Sequence, residues 1–205
     1  MNKKILFIFG AGHGGINPTT GKYVTAGKRS PKENGKTLLF EGENNRKNVS
    51  LIVEGMLKAG HDAINIFDTW KDVPLRERTK RINELCRTRN CVFISVHSDG
   101  AGNGRDWYSA SGISTFKYTR CSKNSDKLAQ WIHQELTCNF HGVSKNRGIR
   151  SKNLHMLRET NCPAILLELG FHTHLAETKR MLTDEWREKV VKSVVDGCGI
   201  YLNNH

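Results

Sequence analysis

Long apolar runs are missing from this chain of 205 residues. No stretch approaches the roughly 20 apolar residues of a membrane-spanning helix. The amino-terminal MNKKILFIFGAGHGG offers only Ile5 to Phe9 as a continuous apolar run, too short for the core of a secretory signal, and no small-residue cleavage site follows. A protein made in the cytoplasm and kept soluble there is expected, one that acts outside only if something else releases it. No C-x-x-C spacing occurs among Cys86, Cys91, Cys121, Cys138, Cys162 and Cys198. A chain this long does not need disulfide staples, so these are read as reduced thiols, several of them buried, and not as metal ligands. Internal repeats and low-complexity tracts are absent too. Acidic side chains are in deficit, 20 against 32 Lys and Arg, which leaves a formal net charge of +12. Polyanions such as nucleic acid or an anionic cell envelope should attract such a protein. Most of the positive groups, including Lys28-Arg29, Arg76 to Arg81 and Lys145 to Lys152, read as solvated faces.

What is present is organised around Lys4 to Gly15, KILFIFGAGHGG. Its apolar residues are continuous rather than alternating, as in a strand covered on both faces of an α/β sheet. The glycine-rich turn after it delivers His13 to the strand's carboxyl end, the edge where open α/β sheets bind ligands. Gly10, Gly12 and Gly15 also satisfy G-x-G-x-x-G, the dinucleotide fingerprint. That reading needs a helix at the glycines, and the following INPTTGKYVTAGKRSPKENG has the composition of a loop.

Further along, the spacing of Val49, Ile52, Val53, Met56 and Leu57 predicts a helix over residues 43–59, stopped by Gly60, with Glu41 at its entrance. A carboxylate there is favoured by the helix dipole, and capping alone would explain it. Residues 62–67 read as a strand and 75–89 as an amphipathic helix with arginines on its outer side. The apolar run at residues 91–96 ends in His97-Ser98-Asp99-Gly100, repeating the opening arrangement of strand, histidine and glycine turn. Residues 113–118 read as a short edge strand, 122–138 as a helix, 140–152 as a basic loop, and 154–158 as a short strand. Residues 163–169, PAILLEL, form another buried run with Glu168 inside it, where a carboxylate needs a partner. A helix over residues 183–202 closes the chain. The expectation is one α/β domain spanning residues 1–205, with a mostly parallel or mixed twisted sheet of about five to six strands flanked by helices and no separate wall-binding unit.

Strand ends thus contribute His13, His97 and Glu168, and a helix entrance contributes Glu41. If the strands share one sheet, these four converge on one edge. Imidazole and carboxylate bind zinc, and a catalytic zinc site uses three protein ligands with the fourth position open. The remaining carboxylate would then shuttle protons. Spacing leaves open which glutamate ligates and which shuttles.

These segments resemble the zinc-dependent N-acetylmuramoyl-L-alanine amidases of the amidase-3 type, in order and over nearly the whole length. GHGG (12–15) and EGENNR (41–46) are similar to the family's first two ligand motifs, SVHSDG (95–100) to its S-[IV]-H segment, and PAILLELGF (163–171) to its P-A-x-L-x-E-x-G-F segment. The resemblance implies His13, Glu41 and His97 as zinc ligands, Glu168 as the catalytic carboxylate and peptidoglycan as substrate. Glu43 competes with Glu41, but only Glu41 has an asparagine, Asn45, at the family's E-x-x-x-N offset. RGIR (147–150) resembles the segment beside the family's cleft, so Arg147 and Arg150 are candidates for holding a stem-peptide carboxylate; a solvated basic loop is the competing account. Asp99 stands where the family usually has Asn, Thr173-His174 replaces a serine-asparagine pair, and the loop 16–40 is long. A compact amidase without a signal peptide is reminiscent of phage or prophage endolysins. Two other functions fit the same residues: a zinc exopeptidase acting on wall peptides, and a non-catalytic basic module that binds polyanions.

Overall fold

The structure is a computed structural model, and it describes residues 4–204. Three strands with continuous apolar sequences form its centre: β1 (Leu6–Ala11), β5 (Cys91–Asp99) and β8 (Ala164–Phe171). They belong to a six-stranded sheet that also contains β4 (Asp62–Asn65), β6 (Ile113–Lys117) and β7 (Asn146–Ser151), in the order β4-β1-β5-β8-β6-β7. The first four strands of that order run parallel; β6 is antiparallel to β8, and β7 is parallel to β6. The mixed sheet expected from the sequence is therefore present.

Alternate residues of β1 feed opposite cores. Phe7 and Phe9 join an apolar cluster with Val49, Ile52, Leu128, Ile132, Val190 and Val194, which come from α1 (Glu41–Lys58), α3 (Lys123–Asn139) and α6 (Asp184–Asn203). Leu6 and Ile8 join a smaller cluster with Phe67, Ile82, Phe93 and Met156 beneath α2 (Leu75–Cys86) and α4 (His155–Arg158). Helices on both faces explain why the strands carry no polar alternation. α1 ends at Lys58, and Gly60 follows with φ of 79°, the left-handed conformation that terminates helices.

Several local expectations need correction. The segment 154–158, read as a strand, is the short helix α4, and a further helix, α5 (Leu175–Met181), follows β8. The basic loop 140–152 contains β7, an edge strand. β6 is not at the edge but lies between β8 and β7. The loop 16–40 holds a two-stranded hairpin, β2 (Lys32–Glu33) with β3 (Lys36–Thr37), turned by Asn34 and Gly35 at φ of 50° and 79°. Two left-handed residues in succession make the type of turn whose twist suits a hairpin. Arg78, grouped with the solvated arginines, is only 4% exposed.

Candidate metal centre

The carboxyl ends of β1, β5 and β8 meet the start of α1 at one edge of the sheet. His13 follows β1 with φ of 62°, a conformation that costs energy for a residue with a side chain. Two arginines hold that turn in place. Arg46 Nη2 donates to the His13 carbonyl at 2.8 Å, and Arg78 donates to the carbonyls of Ala11 at 2.6 Å, Val73 at 2.8 Å and His13 at 3.3 Å. Gly12 is required here because a Cβ would overlap the His97 imidazole.

Glu41, the first residue of α1, is 1% exposed. Its Oε1 lies 3.3 Å from His13 Nε2 and 3.2 Å from His97 Nδ1, and it accepts weakly from the Ser98 N–H and the Asn45 amide at 3.4 Å. Its Oε2 has no hydrogen-bond partner, and His172 Nδ1 lies 3.9 Å from it. Burial pushes the Glu41 carboxyl up, but hydrogen bonds and charge from His13 and His97 outweigh it and hold the group far below the usual carboxylate range. Glu43, two residues further along α1, is used differently: it accepts the Ile16 N–H at 2.5 Å and braces the glycine turn.

The two imidazoles stand edge to face, with ring centroids 5.2 Å apart. His97 Nε2 lies 3.2 Å from Ser95 Oγ, and with a cation bound a proton on Nε2 would leave the Nδ1 lone pair free as a ligand beside Glu41. Donor atoms of His13, Glu41 and His97 all lie within 4.8 Å of one another. Two imidazole nitrogens and one carboxylate, whose second oxygen is buried and unpartnered, fit a borderline divalent cation such as zinc.

Glu168 lies opposite His97 in the β5–β8 register. Its Oε2 is buried without a hydrogen-bond partner, and burial, then the negative charges of Glu41 and Asp99, raise its pKa well above the ordinary value. His13, Glu41, His97 and Glu168 together line a cavity of about 290 Å³, bordered by Lys28, Asp99 and His172. A larger cavity of about 560 Å³ lies between α1 and α6, and among the described residues its lining forms no cluster of three metal-ligating groups. Arg147 and Arg150 are not among the lining residues: Arg147 stacks on the Phe171 ring at 4.8 Å and donates to the Ser111 carbonyl, and Arg150 donates to the Arg147 carbonyl.

Sequence reasoning missed two residues. His172 is buried beside Ser98, with Nδ1 3.0 Å from the Ser98 carbonyl; its place four residues after Glu168, past the β8 turn, was the available signal. Glu177 in α5 is buried and accepts N–H bonds from Gly112 at 3.0 Å and Phe171 at 2.7 Å, and the Ser144 hydroxyl at 2.7 Å. It ties α5 to the end of β8 and to the segments around Gly112 and Ser144.

A mixed α/β sheet with two histidines and a glutamate converging at the carboxyl ends of its strands defines the class: an α/β protein with a candidate metal-dependent hydrolytic centre. The chain belongs to the N-acetylmuramoyl-L-alanine amidase family, whose pattern it matches over residues 8–199. It is 30% identical over 125 residues to an uncharacterised cell wall amidase of Bacillus anthracis, covering 58% of this chain and 22% of that protein. It is also 30% identical over 113 residues to the probable cell wall amidase LytH of Staphylococcus aureus, covering 55% of this chain and 35% of that one. The chain thus spans well under half the length of these relatives. In fold it is similar to the crystal structure of N-acetylmuramoyl-L-alanine amidase from Clostridium difficile 630, with a TM-score of 0.80, 24% identity, and coverage of 99% of this chain and 98% of the other.

Proposed function

We propose that this chain is a zinc-dependent hydrolase that cleaves the amide between the lactyl group of N-acetylmuramic acid and the L-alanine of the stem peptide in peptidoglycan. One observation carries the reading: in a chain of this family, His13, Glu41 and His97 converge within 4.8 Å, and Glu168 lies opposite His97 in register. His13 Nε2, His97 Nδ1 and Glu41 would hold the ion. Bound there, zinc would supply Lewis acidity at the scissile carbonyl and lower the pKa of water.

The other steps belong to the chain. Glu168, its proton affinity raised by burial, accepts a proton from the attacking water and passes it to the alanine nitrogen as the amide bond breaks. The products are a lactyl carboxylate and a peptide with a new alanine amino terminus. Arg78 and Arg46 fix the His13 turn, so the site is formed before substrate arrives. Arg147 and Arg150, on the edge strand next to β6, would bind a stem-peptide carboxylate from outside the cavity. The net charge of +12 favours approach to an anionic wall.

The test is product analysis after digestion of purified peptidoglycan by the zinc-loaded protein. New alanine amino termini, without released single amino acids or new reducing sugars, are expected. Release of a terminal amino acid would identify an exopeptidase instead. Intact wall, with binding that weakens steeply with salt and survives loss of His13 and His97, would identify a polyanion-binding module.

A further inference from the structure

The long loop 16–40 is fastened to the candidate metal centre by hydrogen bonds. Tyr23 Oη accepts the Gly42 N–H at 2.9 Å, in the first turn of α1. Thr25 Oγ1 accepts the Gly14 N–H at 2.8 Å, in the glycine turn, and donates to Asp72 Oδ2 at 2.5 Å. The Lys28 carbonyl accepts the N–H of Glu41 at 2.9 Å, and Arg29 pairs with Phe40 in an antiparallel bridge. These bonds hold Ala26, Gly27 and Lys28 along the cavity of about 290 Å³ that Asp99, Glu168 and His172 also line.

Lys28 is the one lysine or arginine among the residues lining that cavity, whose acidic side chains are Glu41, Asp99 and Glu168. It is exposed, and among the described residues no carboxylate lies within ion-pair distance of its ammonium. The charge still reaches the centre: it opposes the burial that raises the Glu168 carboxyl and adds to the burial that lowers His172. An unpaired cation held beside an acidic cavity offers an incoming anion the attraction that Glu41 and Asp99 deny it.

In the substrate proposed above, the sugar beside the scissile amide is N-acetylated and its lactyl acid is consumed in that amide, so the substrate's carboxylates belong to the peptide. Two residues of chain span about 7 Å. A carboxylate on the second stem residue therefore stays near the reacting bond, within reach of a lysine whose backbone is hydrogen-bonded to Glu41. Later carboxylates extend beyond the cavity. We propose that Lys28 is a specificity-determining residue whose ammonium binds the free carboxylate of the second stem residue, so that the protein favours stems bearing a carboxylate there over stems bearing a carboxamide. The inference rests on the hydrolytic reading and narrows its substrate; it also gives the long loop a role, which is to carry this cation to the rim.

The experiment measures kcat/KM of the zinc-loaded full chain, as release of new alanine amino termini, on two peptidoglycan preparations identical except that the second stem residue bears a free carboxylate in one and a carboxamide in the other. The unsubstituted chain should favour the carboxylate about five- to tenfold at low salt, and the preference should shrink in about 0.5 M salt. Lys28→Met should bring the two values together, Lys28→Arg should keep the preference, and Lys28→Glu should invert it. A purely structural role of the side chain would not produce an inversion. Equal values in the unsubstituted chain overturn the proposal, as does a preference that Lys28→Met leaves intact and Arg147→Ala or Arg150→Ala removes. An equal loss on both substrates in Lys28→Met also overturns it, since the ammonium would then serve the reacting carbonyl common to both. If neither preparation yields alanine amino termini, the hydrolytic reading itself fails and this inference falls with it. If a variant fails to fold, the preference of the unsubstituted chain and its salt dependence decide alone.

Discussion

His97 and Glu168 are partners across the parallel strands β5 and β8, so the backbone register itself places a carboxylate beside an imidazole. Such a pair needs no flexible loop to assemble, and its geometry is as rigid as the sheet. Glu168→Gln keeps the size of the side chain and removes its ability to take a proton. Amidase turnover should fall about 10²- to 10⁴-fold with zinc content unchanged. Turnover within a few-fold of the starting protein would remove Glu168 from the proton-transfer role.

Removing the ion tests the ligand set. Chelation should abolish wall digestion and lower the melting temperature, and added zinc should restore both, since an ion that binds only the folded chain stabilises it. Glu41→Ala and His97→Ala should each lose bound zinc at micromolar protein, measured by elemental analysis after gel filtration. Full zinc occupancy in either variant would point to ligands elsewhere.

Asp99 raises the pKa of Glu168 by like-charge repulsion, second to burial and to Glu41. Asp99→Asn retains an acceptor for the Gly100 N–H and deletes the charge. The Glu168 pKa then falls, so the ionised form exists at lower pH, and the acid limb of kcat/KM should move to lower pH. An unmoved limb would mean that another group controls it.

Arg78 is buried and donates to three carbonyls, two of them in the turn that carries His13. Arg78→Ala leaves those carbonyls without their partner and should destabilise the chain by about 2–4 kcal/mol in urea titrations. Arg78→Lys should recover only part of this, because an ammonium cannot fork between separate acceptors. Arg76→Ala, at an exposed position two residues away, should change little. Equal losses at Arg76 and Arg78 would refute the clamp.

His133 joins α3 to β6 and β7, with Nδ1 3.0 Å from Thr115 Oγ1 and Nε2 3.0 Å from Asn146 Oδ1. Burial lowers its pKa from the ordinary 6.5. The unfolded chain therefore takes up this proton first as pH drops. The stabilising contribution is complete above 6.5 and is lost as pH falls toward the folded-state value. His133→Gln should flatten part of the acid-side decline in melting temperature, and a parallel decline in both proteins would contradict this.

The central strands were legible because burial on both faces leaves continuous apolar runs, and His13, His97 and Glu168 stood out as polar residues at the ends of or within those runs. Asn45 is the sequence ground for preferring Glu41 to Glu43; in the structure Glu43 accepts the Ile16 N–H, while Glu41 lies between His13 and His97. Other features left no local trace. Arg78 is inward because carbonyls far away in sequence accept its protons, which no helical periodicity records. β7 is an edge strand of polar, half-exposed residues held by backbone pairing to β6, and so it reads as loop. α4 has four residues, too few to establish a period. His172 was overshadowed by the apolar segment that precedes it.

Glu177 gathers amide and hydroxyl protons from positions 112, 144 and 171 into one buried carboxylate. Glu177 thus ties α5 to the end of β8 at a point separate from the fork of Arg78 that holds the His13 turn. Loss of that one carboxylate would strand two amide protons and a hydroxyl in the interior at once, so a whole corner of the molecule hangs on a single side chain.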